Sequence, residues 1–281
     1  MSNNKKIIVV ACEGQHDIAF ITRILVAYEF SIINDKIKDF SFPFNYKFKN
    51  IAESMVIADR KLGYQNPNYL LPSVALSYGD DKIVFMHNLS GDGRPAERRE
   101  LIENYSSLVG GDDFTSDLGF SFRFLFFFDA DNIGVSARLD AIKNELNIAS
   151  PLLNGDILSY GDNNEVGCYI YHDYNSEEGV LEDLLLNYFS NKDDSLNSSI
   201  NDFFSANNLE AERTKEFIYK DGAEIYKGSS KFHPKKSKLN LFGQLQFSGM
   251  NNSVIIAKSD FIRKSDLDGC LQSNAIRDMF L

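Results

Sequence analysis

A set of nearly continuous apolar runs constrains the fold of this chain most. In FRFLFFF (residues 122–128) only Arg123 is polar, and the predicted strand Lys6–Cys12 contains the run IIVVAC. Strands that are apolar at successive positions have both faces buried, which is typical of parallel sheets covered by helices on both sides. With shorter strands at Lys82–His87 and Gly167–His172, the sequence predicts an α/β fold with a central, mostly parallel sheet flanked by helices.

Helical patterns separate these strands. Residues Gln15–Tyr28 place Ile18, Ile21 and Leu25 at helical spacing. Further helices are predicted at Ile51–Leu62, 94–108, Val135–Leu146, Gly179–Tyr188 and around Phe203–Tyr219.

The 281 residues suffice for one large domain with an appendage. We expect residues 1–190 to form the core, with an insertion at about residues 31–80 after the first helix. Residues 191–281 are expected to form a C-terminal extension of helices and strands that packs on the core. The extension opens with the polar stretch NKDDSLNSSIND, which predicts a linker or a surface loop.

Composition and motifs argue against several classes of protein. No apolar run approaches the roughly 20 residues that a membrane span needs, and the N-terminal run meets Glu13 without the pattern of a signal peptide. The three cysteines are far apart and form no CxxC motif, which supports neither a disulfide framework nor a zinc site. We therefore expect a protein of the reducing cytoplasm, with no membrane partner.

The net charge of −11 argues against non-specific coating of nucleic acid. It leaves open an enzyme that cuts nucleic acid, because bound metal ions can supply positive charge locally. Residues 213–238 also contain eight basic residues against three acidic ones. Such a run is more often a solvated helix face than a binding surface.

Acidic residues follow the predicted strands. Glu13 comes after the first strand, and Asp129 and Asp131 come after residues 122–128. One such acid alone is typical of a helix N-cap or a partner of the helix dipole. The carboxyl ends of parallel strands lie at one edge of a sheet, and alternate residues of an extended segment, such as Asp129 and Asp131, share a side. Several acids brought together in this way would repel one another. A divalent cation would relieve that repulsion, and oxygen-rich sites suit Mg²⁺ or Mn²⁺.

The order of these motifs resembles the TOPRIM domain of topoisomerases, primases and OLD-family nucleases, which has a Rossmann-like fold. In that domain one strand ends in Glu and a later strand ends in Asp-x-Asp, which Glu13 and Asp129/Asp131 match. EGQHD (residues 13–17) is similar to the OLD-type variant with a second acid, here Asp17. FFFDADNIGVSARLDAIKNEL and EEGVLEDLLL are similar to small stand-alone TOPRIM-like proteins of poorly defined function. The resemblance covers most of residues 6–190 and part of 231–262.

The resemblance implies a site and a chemistry. The Leu-Glu-Asp motif of the family adds acids to its metal site, which implicates Glu182 and Asp183. HPKKSKLNLFG (residues 233–243) is similar to a lysine-containing segment of the family, and Lys235 and Lys238 are our candidates to stabilise transition-state charge. Glu13 would be a metal ligand or a general acid or base. The implied function is metal-dependent hydrolysis of phosphodiester bonds in DNA or RNA.

Departures from the family pattern keep alternatives open. Asn132 follows Asp-x-Asp where TOPRIM domains often have Gly, and the chain carries neither a zinc-binding nor an ATPase domain. One alternative is a module that binds a nucleotide or nucleic acid without cleaving it. Another is a phosphatase with an aspartate nucleophile, although that class places Asp-x-Asp near the first strand. A separately encoded ATPase partner follows only from the analogy with OLD-type systems, and a homo-oligomer is compatible with the sequence.

Overall fold

A computed structural model describes residues 5–55, 68–109, 119–161, 163–207, 216–227 and 233–281. The strands are β1 (Lys5–Cys12), β2 (Ser31–Ile32), β3 (Val74–Tyr78), β4 (Lys82–Asn88), β5 (Phe120–Asp129), β6 (Ile157–Tyr160), β7 (Asn164–Tyr171), β8 (Glu216–Lys220) and β9 (Ala223–Lys227). The α-helices are α1 (Gln15–Ala27), α2 (Phe44–Glu53), α3 (Pro95–Ser106), α4 (Val135–Glu145), α5 (Leu181–Lys192), α6 (Asp194–Ala206), α7 (Pro234–Gln246), α8 (Asn252–Lys258), α9 (Lys264–Asp268) and α10 (Leu271–Asp278). A 3₁₀ helix spans Ile37–Asp39.

Seven strands form one mixed sheet in the order β2-β3-β4-β1-β5-β7-β6. The four central strands, β4, β1, β5 and β7, are parallel to one another, whereas β2, β3 and β6 pair antiparallel at the edges. This architecture confirms the predicted α/β fold with a mostly parallel central sheet flanked by helices. It also brings the carboxyl ends of β4, β1, β5 and β7 to one edge, where sites form in such sheets.

The sheet is covered on both faces, which explains the apolar runs. In β1, Ile8 and Val10 belong to one hydrophobic core and Ile7 and Val9 to the other, and the residues of β5 alternate in the same way. Helices α1, α5, α7, α8 and α10 contribute to the first core, and α2, α3 and α4 contribute to the second. The central strands are therefore rigid supports for the residues that follow them.

The insertion after α1 extends the sheet rather than forming a separate unit. It contains β2, the 3₁₀ helix, α2 and β3, and β3 pairs with β4. The predicted helix Ile51–Leu62 overlaps α2 at residues 51–53, but α2 begins earlier, at Phe44, and ends at Glu53, with Phe44 and Phe48 packed into the core. The remainder of that prediction, from residue 56, lies outside the described residues.

The C-terminal extension corrects two further predictions. The polar stretch predicted as a linker or loop is mostly helix α6, which Asp193 caps by accepting the Leu196 N–H at 2.9 Å, and which buries Ile200. The helix predicted around Phe203–Tyr219 ends at Ala206, and its last residues belong instead to the β8–β9 hairpin; residues 208–215 lie outside the described part. Helix α8 packs against α1, and Arg23 of α1 donates to the Ile262 carbonyl at 2.7 Å.

The length and hydropathy of the helices bear on the membrane prediction. Within the described ranges, no helix combines the length and the apolar character that crossing a membrane would require.

Candidate functional site

A cavity of about 420 Å³ opens at the carboxyl edge of the parallel strands. It combines acidic side chains with one lysine, one histidine and two serines. Its lining consists of Glu13, Gly14, Gln15, His16, Asp17, Ser90, Gly91, Asp129, Leu181, Glu182, Lys236 and Ser253.

The turn between β1 and α1 places two of the carboxylates. Glu13 directly follows β1, and Asp17 lies in the first turn of α1. The Asp17 carboxylate accepts the Gly14 N–H at 2.8 Å, and the residue is 7% exposed. Gly14 is the N-cap residue of α1, and Asp17, three residues on, accepts its N–H as the third residue of a capping box does. Asp17 also lines the cavity.

The start of α5 brings a third and a fourth carboxylate to the same place. Asp129, the last residue of β5, accepts the Leu181 N–H at 2.7 Å and so ties that strand to the helix. The next residue, Glu182, is only 2% exposed. Its Oε1 lies 3.2 Å from Nδ1 of His16 and 3.9 Å from Nζ of Lys236.

Burial and crowding raise the pKa of three of these acids. Burial, followed by the charges of Glu13 and Glu182, raises the pKa of Asp17 to about 8. The pKa of Asp129 lies well above its ordinary value, first because of burial and then because of Asp17 and its neighbours. The pKa of Glu13 is raised by burial and by nearby acids. The pocket is therefore short of positive charge.

Glu182 has the opposite pKa shift. Burial alone would raise its pKa, but the hydrogen bond with His16 and the charge of Lys236 outweigh burial and hold it below the ordinary value. Neither His16 nor Lys236 was among the predicted site residues. Among the carboxylates of the cavity, Glu182 is thus the one whose ionised form its neighbours stabilise.

One carboxylate oxygen in the cavity lacks a partner. Oε2 of Glu13 is buried and has no hydrogen-bond partner among the described residues. Buried polar atoms are nearly always paired, and an orphaned one is a sign of a missing water, ion or ligand. The donor set, made of carboxylate oxygens, is the kind that Mg²⁺ and Mn²⁺ prefer.

Asp131 does not join this group, contrary to the expectation that it would share a side with Asp129. Strand β5 ends at Asp129, and Asp131 has a left-handed φ of 50°. Its N–H and carbonyl both bond to Gly179, at 2.7 and 2.8 Å. Its side chain pairs with Arg138 at 2.5 Å and is 47% exposed. The alternation rule fails because the backbone is no longer extended.

Asp183 is also committed elsewhere. Its carboxylate accepts the Val180 N–H at 3.0 Å at the start of α5, and it pairs with Lys235 at 2.5 Å. Asp183 is thus a helix cap with a charged partner.

Neither candidate lysine, Lys235 or Lys238, lines the cavity. Lys235 pairs with Asp183, and Lys238 donates to Asn201 of α6 at 2.6 Å and lies over the Phe204 ring. The lysine in the cavity is Lys236, which we had not selected. Consecutive residues of a helix point about 100° apart, so which of these lysines faces the cavity depends on where α7 begins. Pro234, at the first position of α7, is the sequence feature that indicates that start.

Within the described residues, no three His, Cys, Asp or Glu side chains come together in a group that could hold a metal ion. The carboxylates of the cavity are close enough to raise one another's pKa, but they do not converge on one point as they stand.

The fold and the site define an α/β protein with an acidic cavity at the carboxyl edge of its parallel strands. Neither a protein-family model nor a curated protein sequence matches the chain. A solved structure, that of the hypothetical protein PH0156 from Pyrococcus horikoshii OT3, is similar, with a TM-score of 0.55 and 15% sequence identity. The match covers 98% of this chain and 99% of that chain. At this identity the likeness concerns the fold alone.

Proposed function

We propose that this protein is a divalent-metal-dependent nuclease of the TOPRIM type, which hydrolyses phosphodiester bonds of DNA or RNA. One observation carries the proposal: the carboxylates of Glu13, Asp17, Asp129 and Glu182 line one cavity, and Oε2 of Glu13 is buried without a partner. Four acids are costly to keep together unless a cation shares the site.

Mg²⁺ or Mn²⁺ would be held by these four residues. When bound, the ion would lower the pKa of an attacking water and offset the charge of the phosphate. Because Asp17 and Asp129 have raised pKa values, they would release protons as the ion binds, and binding would strengthen as the pH rises.

The other residues of the cavity fit a phosphate substrate. Lys236 is half-exposed at the mouth, where its ammonium group can meet a phosphate oxygen and stabilise the extra charge of the transition state. His16, held by Glu182, adds a second nitrogen-bearing side chain on the same side. Glu13 supplies a carboxylate that would bind the metal ion or hold a proton during the reaction.

A binding module without cleavage is the second candidate. Two of the six predicted ligands, Asp131 and Asp183, are engaged in ion pairs with Arg138 and Lys235. A site with fewer free carboxylates could bind nucleic acid ends through metal without cutting them. This candidate predicts metal-dependent binding with no product.

Nicking assays distinguish the two functions. Supercoiled plasmid DNA and single-stranded RNA would be incubated with the protein and Mn²⁺ or Mg²⁺. We expect metal-dependent cleavage that Asp129→Asn abolishes and that Asp140→Asn, which removes an exposed carboxylate on α4, leaves intact. Metal-dependent retention of nucleic acid without cleavage would favour the binding module. If neither cleavage nor binding depended on metal, both candidates would be wrong.

A further inference from the structure

A segment of the chain that contains no acidic residue borders the cavity. Residues 233–259, which include α7 and α8, carry Lys235, Lys236, Lys238 and Lys258 but no Asp or Glu. The chain as a whole is acidic, with 40 Asp and Glu among 281 residues and a net charge of −11. Helix α3, by comparison, mixes acids and bases along PAERRELIENYS, as is typical of a solvated helix face. The composition of α7 and α8 instead favours a negatively charged neighbour.

Helices α7 and α8 both begin at the cavity. Lys236, in the first turn of α7, and Ser253, in the first turn of α8, line it. Nζ of Lys236 lies 3.9 Å from Oε1 of Glu182. The two helices pack closely against each other, because a Cβ atom at Gly243 would lie only 2.5 Å from Cδ1 of Ile255. Their side chains therefore have fixed positions relative to the cavity.

An exposed stripe of hydrogen-bond donors runs from the cavity along α7. Lys236, Asn240 and Gln244 are exposed and four residues apart, so they are neighbours on one face of the helix. Gln244 donates to the Met250 carbonyl at 2.5 Å, which ties this stripe to the loop before α8. In that loop the exposed Asn251 caps α8 with its side-chain oxygen, and its NH₂ group is a further donor.

We propose that Lys236, Asn240, Asn251 and Ser253, which we call the donor surface, bind the sugar–phosphate backbone of nucleic acid beside the cavity. The choice of this partner rests on the proposed function. Ammonium, amide and hydroxyl groups are the side-chain donors that proteins use to bind phosphate and sugar oxygens, and residues 233–259 contain no carboxylate to repel them. Contacts of this kind carry no sequence information, so binding should not depend on base sequence and should weaken as salt is added.

Two aspartate substitutions of the same size test the donor surface. Asn240→Asp keeps the shape of an exposed side chain and places a negative charge one turn from Lys236. Asn50→Asp is the matched control, because Asn50 is also exposed on a helix, and α2 lies on the opposite face of the sheet. The Kd for labelled single strands of DNA and RNA would be measured by fluorescence anisotropy in EDTA, so that neither metal nor cleavage contributes.

The donor surface predicts different results for the two positions. We expect Asn240→Asp to weaken binding about fivefold at low salt, and Asn50→Asp less than about twofold. Lys236→Gln should reduce the slope of log affinity against log salt concentration by about 0.7. Lys49→Gln removes an exposed lysine of α2 and should leave that slope unchanged.

The outcomes separate the donor surface from the proposed nuclease activity. Equal effects of the two aspartate substitutions, or no salt-dependent binding by the wild type in EDTA, would overturn the donor surface. Metal-dependent nicking of plasmid or RNA would still stand in either case. Binding that Asn240→Asp weakens selectively, without metal-dependent cleavage, would support the donor surface and overturn the nuclease. Circular dichroism of each variant checks that it is folded.

Discussion

Replacing Asp17 with asparagine should make the protein more stable while it weakens the proposed metal site. Asp17 is buried, and its pKa of about 8 compares with an ordinary value of 3.8. Asparagine has nearly the same shape, and its side-chain oxygen can still accept the Gly14 N–H that Asp17 accepts at 2.8 Å. The substitution therefore removes the cost of the carboxylate and keeps the helix cap.

The size of the effect follows from linkage between protonation and folding. At pH 7 the unfolded chain has an ionised Asp17, whereas the folded chain keeps it mostly protonated. About three pH units separate pH 7 from the ordinary pKa, and each unit is worth about 1.4 kcal/mol, which gives about 4 kcal/mol. Because the folded pKa of Asp17 is raised, its protonated side chain costs the folded state nothing below about pH 4, and its destabilising contribution grows as the pH rises towards about 8.

Thermal unfolding at several pH values, without divalent metal, measures this effect. For 281 residues, 4 kcal/mol corresponds to a rise in Tm of about 7 °C at pH 7. The rise should vanish near pH 4, and the Asp140→Asn control should stay within about 0.5 kcal/mol of the wild type. Saturating Mn²⁺ should raise the Tm of the wild type more than that of Asp17→Asn. A variant no more stable than the wild type at pH 7 would refute the claim that Asp17 lies among crowded, unneutralised carboxylates.

Three further predictions concern other parts of the molecule. Lys236→Met should lower the rate of nucleic acid cleavage about 100-fold, since it removes the cation of the cavity, whereas Lys235→Met should change it less than about 10-fold; equal losses would contradict the assignment. Burial lowers the pKa of His87 to about 4, from an ordinary value of 6.5. Between these two pH values His87 is protonated in the unfolded chain and neutral in the folded chain. Between about pH 6.5 and 4, urea denaturation should show the wild type losing about 3 kcal/mol relative to His87→Gln, and parallel pH profiles would argue against a buried neutral imidazole. Glu145→Gln should cost about 3 kcal/mol, because it leaves the buried guanidinium of Arg98 without its charged partner; a loss below about 1 kcal/mol in the same assay would show that the pair is solvated.

The sheet was predictable from sequence because its signal is local. The apolar runs of β1 and β5 need burial on both faces whatever the rest of the chain does. The helix α6 was missed because it buries little apolar surface, with Ile200 its one fully buried residue, and its polar composition is equally typical of a loop.

From the residues alone, the site was predictable where strand ends determine position. Glu13 directly follows β1 and Asp129 is the last residue of β5, so their meeting is a consequence of the parallel sheet. Asp17 and Glu182, which also line the cavity, were predicted only through the resemblance to the TOPRIM family. The direction of the Asp131 side chain depends on one left-handed φ angle. The position of the Lys236 side chain depends on where α7 begins and how that helix packs. Arg138 and Asp92 come from different segments, and their pairing is a tertiary contact that no local pattern predicts.

The most direct test of the central claim is the location of a bound ion. Crystals of the protein grown or soaked with Mn²⁺ would be measured near the manganese absorption edge, and the anomalous difference map would be calculated. We predict a peak in this cavity, within coordinating distance of carboxylate oxygens of Glu13, Asp17, Asp129 and Glu182. A map without a peak in this cavity, from crystals in which Mn²⁺ is bound elsewhere, would show that these acids are caps and buried charges and would contradict the proposed function.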